Sequence, residues 1–480
     1  MLTTHSSHKT TWGLIWLSIL LFWGVSWEAE FGMDAMTYAG LARRILIHQD
    51  WKTLHYSSQG YENFYQHPPL VMWLLAGVFK ITGVANEWTA KILPYLFSLG
   101  TLLMTIFWGS QAAQSSWGGF LSGLILLTST RFIKYAPSPL LDGFLAFWLI
   151  LGGWLLLQSF NPKSKPWIWG PLQGVCLAGG FLTKGMPTLL LFFGLMASWI
   201  TQGVVKRSRK VNLGFFLALT VLGWILSLWL YVGDGLNYLE HYWIESVQGR
   251  LGGHSGWLDW LAPMRNLFKG YWPWNLVYFY SIYVICVKQT RARNVLFEQK
   301  ITSWIPLLAS LGVLGGFSLS GHFLEHYLVP FYPFAAIASA VSIAQVTEQW
   351  REGVTRVFFI LLIFVTLLLA TFPIHTQGVD YQDPQRRLLK RAASSCHGGI
   401  RRIYLSADET SFWWGLAMGT WYTPWDTRVL NPSEIPVDER SALLLSRRRN
   451  DLAGSWVMTS LIEGDFRVYQ RPNSQACPEL

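Results

Sequence analysis

Charge is what this sequence has least of. Only 13% of its 480 residues are Asp, Glu, Lys or Arg, about half the roughly 25% usual in soluble domains. A chain this long with so few polar side chains cannot cover a core with polar surface, which excludes a soluble globular enzyme. A disordered chain is excluded as well, because 51% of the residues are apolar. Cysteine is equally sparse. The four present show no metal-ligand spacing, and they are too few for a disulfide-stapled secreted domain. Cys176 and Cys286 fall in apolar runs and read as buried thiols. Cys396 and Cys477 stand in the polar C-terminal part, either as one bridge in an extracytoplasmic domain or as two unrelated thiols. Internal repeats, low-complexity tracts and phosphate-cradling glycine motifs are also missing, so nothing signals a nucleotide-binding site. What is abundant is apolar and aromatic surface, with 28 Trp. This is the composition of an integral membrane protein.

The net charge of +10 invites a nucleic-acid reading until the charges are located. Residues 376–480 hold 13 basic and 12 acidic side chains, so the excess lies in residues 1–375, with 24 against 15. Twelve of those 24 sit in four short segments between apolar runs: Lys163/Lys165, 206–210, 288–300 and 351–356. That is positive-inside patterning rather than a phosphate-binding stripe, and it points away from nucleic acid. Eleven uncharged runs are long enough to read as spans, some only with tilt or local thinning: 11–27, 92–109, 117–130, 143–160, 167–183, 185–205, 211–233, 271–287, 301–321, 327–346 and 357–374. The first resembles a signal segment but lacks a cleavage site, so it is read as an uncleaved span.

The stretch 68–79 decides the parity. Its 12 apolar residues would rise about 18 Å as a helix, too little to cross about 30 Å of hydrocarbon. It is therefore expected to lie against the interface, within a helix over 68–82. With eleven spans, all four basic segments share the side of the N-terminus. The reading is a cytoplasmic N-terminus and an outward C-terminus, in the plasma membrane (the inner membrane of a two-membrane cell). Residues 1–375 form the membrane domain, with outer loops at 28–88 and 234–270. Residues 376–480 form a small α/β domain, with strand-like runs at 400–406, 442–446, 456–460 and 466–470 and helices near 384–393 and 409–418.

Charged residues are conspicuous against this background. Asp34 opens a helical pattern over 34–48 in which Asp34, Tyr38, Leu41 and Ile45 share a face. This helix is expected to be amphipathic and interfacial; the plain alternative makes Asp34 only a helix-start acid favoured by the dipole. Asp142 heads an apolar helix, where a carboxylate is a functional-site hypothesis by default. Lys184 stands alone between two apolar runs, Arg131 and Lys134 flank the turn before Asp142, and His67 precedes Pro68-Pro69. Snorkelling cations are the plain reading of Arg131 and Lys134. Two carboxylates and several cations on one side suit a phosphate-bearing lipid and an acceptor that must lose a proton. His67, His254, Glu325 and His326 offer metal ligands, but their spacing matches no ligand pattern, so no metal site is assigned and a divalent ion remains a minor alternative.

At these positions the sequence resembles the polyprenyl-phosphate-sugar-dependent membrane glycosyltransferases of the GT-C fold, in their protein O-mannosyltransferase-like and lipid A aminoarabinose transferase-like branches. Asp34-Ala35-Met36-Thr37-Tyr38, Ala42-Arg43, Asp50-Trp51 and His67-Pro68-Pro69-Leu70 stand in the family's order, followed by Asp142, Leu182-Thr183-Lys184-Gly185 and His326-Tyr327-Leu328-Val329-Pro330. Ala35 replaces the second acid of the family's Asp-Glu pair, and Gln66-His67 stands where one branch has Glu-Lys. The resemblance implies a mostly α-helical polytopic GT-C membrane protein of about eleven transmembrane helices with a small C-terminal α/β domain. It implies inverting transfer of a hexose or pentose from a polyprenyl-phosphate carrier to a glycolipid, a cell-envelope glycan such as lipopolysaccharide, or a protein. Asp34 and Asp142 would be the catalytic carboxylates, and Lys184, Arg131, Lys134 and His67 would hold the donor phosphate. Tyr38, Arg43 and Tyr327 would line the substrate pocket. The competing class is a polyprenyl-linked sugar flippase, which would favour paired repeats that are not seen here.

Overall fold

A computed structural model describes residues 2–26, 31–59, 61–161, 163–248, 260–289, 297–318, 323–371, 384–396, 400–436, 441–447, 456–472 and 477. The chain folds into two compact units. One comprises Met1–Glu28, Gln66–Val71 and Lys91–Thr376; the other comprises Ala29–Tyr65, Met72–Ala90 and Gln377–Leu480. The loop 28–88, drawn with the spans from the sequence, thus gives most of its residues to the second unit.

The first unit is helical, and each of the eleven apolar runs is helical over most of its described residues. Five of these helices are long and apolar enough to cross a membrane by length and composition: Glu87–Ala112, Leu141–Gln158, Met186–Val205, Arg209–Val232 and Ile301–Ser318. Shorter apolar helices include Ser116–Leu127, Trp274–Val287 and Phe331–Ala344. The protein is a multi-pass membrane protein.

Small residues set the closest packing. Gly170 and Gly174 form a small-xxx-small stripe on the helix Pro166–Lys184. A Cβ on Gly170 would come within 2.5 Å of the Gly214 carbonyl, and one on Gly174 within 2.5 Å of the Ala218 carbonyl. The backbones of this helix and of Arg209–Val232 therefore touch, as membrane helices do when there is no water to drive them together. Leu141–Gln158 packs on the other side of Pro166–Lys184 and is the most enclosed of the long helices, with 72% of its apolar window buried, against 22% for Arg209–Val232.

The second unit is built around a five-stranded sheet and a hairpin. The hairpin pairs β1 (His55–Ser57) with β2 (Tyr61–Asn63). In the sheet, β3 (Arg402–Leu405) lies between β4 (Asp426–Val429) and β5 (Ala442–Arg447), parallel to both. The antiparallel pair β6 (Val457–Glu463) and β7 (Phe466–Gln470) extends it, in the order β4-β3-β5-β7-β6. The helix Phe412–Tyr422 makes the β3–β4 crossover and Pro384–Ser395 precedes the sheet. The small α/β domain expected from the sequence is present. The strand β4 was not foreseen, because Asp426-Thr427-Arg428-Val429 carries too few apolar residues to stand out. Its outer edge is closed by the hairpin: Ser57 Oγ donates to the Thr427 carbonyl (2.7 Å), and the Gln59 side chain exchanges hydrogen bonds with the backbone of Val429 (3.0 and 2.7 Å). An edge covered in this way is less open to further pairing. A bridge joins Cys396 to Cys477.

The helix Met33–His48 departs from the one-faced pattern expected of it. Residues 35–42 are all buried, because Ala35, Ala39, Gly40 and Ala42 let Phe412–Tyr422 pack closely on it. A Cβ on Gly40 would lie 3.1 Å from the Thr420 backbone. The helix is enclosed rather than amphipathic.

Candidate functional site

Helix geometry brings Asp142 and Lys184 to one level. Leu141–Gln158 runs away from Asp142, the chain turns at 159–165, and Pro166–Lys184 returns the same distance. Asp142 lies in the first turn of its helix and Lys184 in the last turn of its own. Each helix dipole favours the charge placed there, a carboxylate at an N-terminus and an ammonium at a C-terminus. Lys184 Nζ donates to Asp142 Oδ1 at 2.6 Å, with side chains 5% and 2% exposed. So buried a pair persists only because each charge compensates the other; removing one partner of such a pair typically costs about 3–5 kcal/mol.

One short turn supplies most of the surroundings. Glu325–Leu328 is a single tight turn leading into the helix Phe331–Thr347, and three successive residues of it reach three different partners. Glu325 accepts both guanidinium nitrogens of Arg131, one at 2.7 Å, and the Tyr135 hydroxyl at 2.9 Å. His326 Nε2 stands 3.7 Å from Asp142 Oδ2. The Tyr327 ring lies under the Lys184 ammonium, 4.0 Å from Nζ to the centroid, a cation–π contact strengthened by burial. Tyr327 itself stacks on Phe317 at 5.2 Å. Burial and the adjoining Glu325 carboxylate push the Tyr135 hydroxyl up to about 12, so it stays protonated and donates. The Tyr135 and His326 rings meet at 5.9 Å. Lys134 lies over the other part of this cluster, 5.0 Å from the Tyr135 centroid.

The backbone after Lys184 is held as well. Tyr242 donates its hydroxyl to the Lys184 carbonyl (3.1 Å) and accepts the Met186 amide (3.2 Å). Gly185 has φ +74°, and a Cβ there would overlap the Tyr242 hydroxyl, so glycine is required on both counts.

Of the residues singled out in the sequence, the first unit thus brings Asp142, Lys184 and Tyr327 into direct contact, and joins Arg131 and Lys134 to them through Tyr135, Glu325 and His326. His67 is buried in the same unit. Tyr135 and Tyr242 escaped sequence reasoning. Glu325 was noticed only as a metal candidate, and His326 only as that and as the residue that opens the run ending at Pro330. Among the described residues no group of three His, Cys, Asp or Glu is placed to hold a metal; His254 lies outside the described residues, as do residues 249–259 of the loop 234–270.

Asp34, Tyr38 and Arg43 belong to the second unit. Asp34 is half-buried in the first turn of Met33–His48. Burial, with the Asp34 charge adding to it, pushes the Tyr56 hydroxyl up to about 12 although Thr37 hydrogen-bonds it at 3.2 Å. Tyr38 is buried with its ring edge-on to Phe64. Arg43 and Arg44 donate to the carbonyls of Trp421 (2.7 Å) and Trp425 (2.6 Å), which fixes Arg43 at the C-terminal end of Phe412–Tyr422.

Comparison with known proteins agrees with this architecture. The family model of dolichyl-phosphate-mannose-protein mannosyltransferases matches residues 15–244. No curated protein sequence matches significantly. Among solved structures, ArnT from Cupriavidus metallidurans bound to undecaprenyl phosphate matches with a TM-score of 0.70 at 16% identity, over 98% of this chain and 100% of that one. The Archaeoglobus fulgidus oligosaccharyltransferase in its apo form matches with a TM-score of 0.56 at 10% identity, over 98% and 75% of the two chains. The chain has the GT-C fold and resembles the GT-C glycosyltransferases.

Proposed function

We propose that this protein is an inverting glycosyltransferase that moves a sugar from a polyprenyl-phosphate carrier to an acceptor at the outer face of the membrane. The observation that carries this reading is the buried Lys184–Asp142 pair, closed over by Tyr327 and His326 at the ends of two apolar helices. A lipid-linked phosphate reaches the end of a spanning helix without leaving the bilayer, and a buried ammonium there meets it with little competition from water. The ArnT match, whose structure holds undecaprenyl phosphate, supports the donor class.

The chemistry is a displacement at the anomeric carbon. An acceptor oxygen forms the new C–O bond, the bond to the phosphate oxygen breaks with inversion, and the electron pair leaves on the lipid phosphate. The acceptor proton passes to a carboxylate, for which Asp34 is the candidate from the sequence motif. Lys184 stabilises the phosphate as its charge develops, the role in which a preorganised cation contributes most. When the phosphate engages Lys184, Asp142 loses its partner and His326 stands near enough to compensate it. Arg131 acts through Glu325 by fixing the turn that carries His326 and Tyr327. The topology proposed with this reading is a cytoplasmic N-terminus and an outward C-terminal domain.

A glycolipid or envelope glycan is the first acceptor class. The family match to protein mannosyltransferases favours a polypeptide as the second. The test is incubation of the purified protein with a panel of polyprenyl-phosphate hexoses and pentoses and with both acceptor classes, followed by mass spectrometry of the products. Transfer that is lost in Asp34→Asn, with folded protein retained in the membrane, supports the assignment; full activity in that variant removes Asp34 from the mechanism.

A further inference from the structure

The helix that ends at Lys184 begins in a second charged site. Lys163, Lys165, Arg209 and Lys210 line a cavity of about 370 Å³ together with Trp167 and Leu213. The cavity opens where Pro166–Lys184 and Arg209–Val232 both start, so two helix N-termini converge on it. Both helices are long and packed backbone to backbone, which holds the cations of the two turns together. Among the described residues no acid lines the cavity. The partial positive charge of the helix ends adds to the four side chains. The 19-residue helix places this cavity about 28 Å from Lys184, close to the thickness of the hydrocarbon layer. It therefore lies at the opposite membrane face from the Asp142–Lys184 pair and cannot take part in holding a phosphate there.

Apolar side chains decide what kind of anion fits. Trp167 and Leu213 are 63% and 47% exposed beside the cations, near the starts of their helices. A free phosphate has no use for them, whereas a phospholipid lays its chains along such residues while its phosphate meets the basic turn. The geometry points to a binding site for an anionic phospholipid headgroup of the leaflet facing the basic loops, with a two-phosphate lipid of the cardiolipin class as the best match to four cations. This inference rests on the membrane-spanning fold and not on the transfer reaction.

The test uses native mass spectrometry of the full-length protein released from mixed micelles containing cardiolipin, phosphatidylglycerol or phosphatidylcholine. Cardiolipin is expected to be retained at least tenfold over phosphatidylcholine. Each juxtamembrane cation contributes a several-fold preference, so Lys165→Gln/Arg209→Gln is expected to weaken retention roughly 25-fold. Lys163→Gln/Lys210→Gln, an independent pair, should do the same and decides the matter should the first fail to fold. Equal retention of phosphatidylcholine, or unchanged cardiolipin binding in the folded double variants, overturns the site. Displacement of cardiolipin by inorganic pyrophosphate at comparable concentration overturns the assignment to a lipid and makes the ligand a soluble phosphate compound. Loss of lipid binding with sugar transfer unchanged still supports the site, which keeps this result separable from the proposed reaction.

Discussion

In the proposed reaction the ion pair of Asp142 and Lys184 would serve both folding and chemistry, and the two roles can be separated by substitution. Each partner alone in a buried site is an uncompensated charge, so Asp142→Asn and Lys184→Gln should each lower thermal stability, by about 3–5 kcal/mol if the site stays dry. Lys184→Gln should also slow transfer by roughly 10²–10³, as loss of one preorganised electrostatic group does. The double variant Asp142→Asn/Lys184→Gln removes both charges of the pair and should regain most of the stability while staying slow. Melting curves and initial rates on the same preparations check this, and recovery of rate together with stability would make the pair purely structural. Both residues were legible in the sequence because a lone charge in an apolar run is conspicuous. Their neighbours were not. Glu325 meets Arg131 across 194 positions and Tyr135 looks like any aromatic in an aromatic-rich chain, so no local pattern announces either.

Among the elements, the apolar runs translated directly into helices, since length and hydropathy are local properties. The helix Met33–His48 did not read true, because its burial depends on the distant Phe412–Tyr422 and on small residues that carry no hydrophobic signal. The loop ahead of β1 offers a pH test. The Asp50 carboxyl, although partial burial opposes ionisation, is held below the usual carboxylate range by the amides of Lys52 (2.8 Å) and Thr53 (3.2 Å) and by His55 (2.9 Å). A depressed folded value means that the ionised form is favoured by folding. The contribution is complete above the ordinary carboxylate value and is lost as pH falls through the folded one. Asp50→Asn should therefore destabilise the second unit at neutral pH, with the gap to the parent closing below about pH 4. Tryptophan fluorescence melts between pH 3 and 7 measure it; a gap that stays constant across that range would show that the Asp50 charge contributes nothing.

At the scale of the whole molecule, the disulfide and the charge distribution bear on the same question of sidedness. Cys396 and Cys477 are 81 residues apart, and closing a loop of that length is worth roughly 4–5 kcal/mol in the chain-entropy description. A persistent bridge belongs to an oxidising compartment, in line with the outward C-terminal domain inferred from the twelve basic residues of four short loops. Thiol labelling of the two cysteines should appear only after reduction, Cys396→Ser should lower the melting temperature of the second unit, and a reporter fused after Leu480 should be active outside the cytoplasm. A cytoplasmic reporter would overturn the topology. Cleavage of a lipid phosphodiester, as against its carriage intact, is read out by ³¹P NMR of the purified protein with a polyprenyl-phosphate sugar and acceptor. The phosphodiester resonance is expected to be replaced by that of a phosphate monoester in step with glycosylated acceptor. Movement of the intact donor across proteoliposomes with no monoester formed would contradict it.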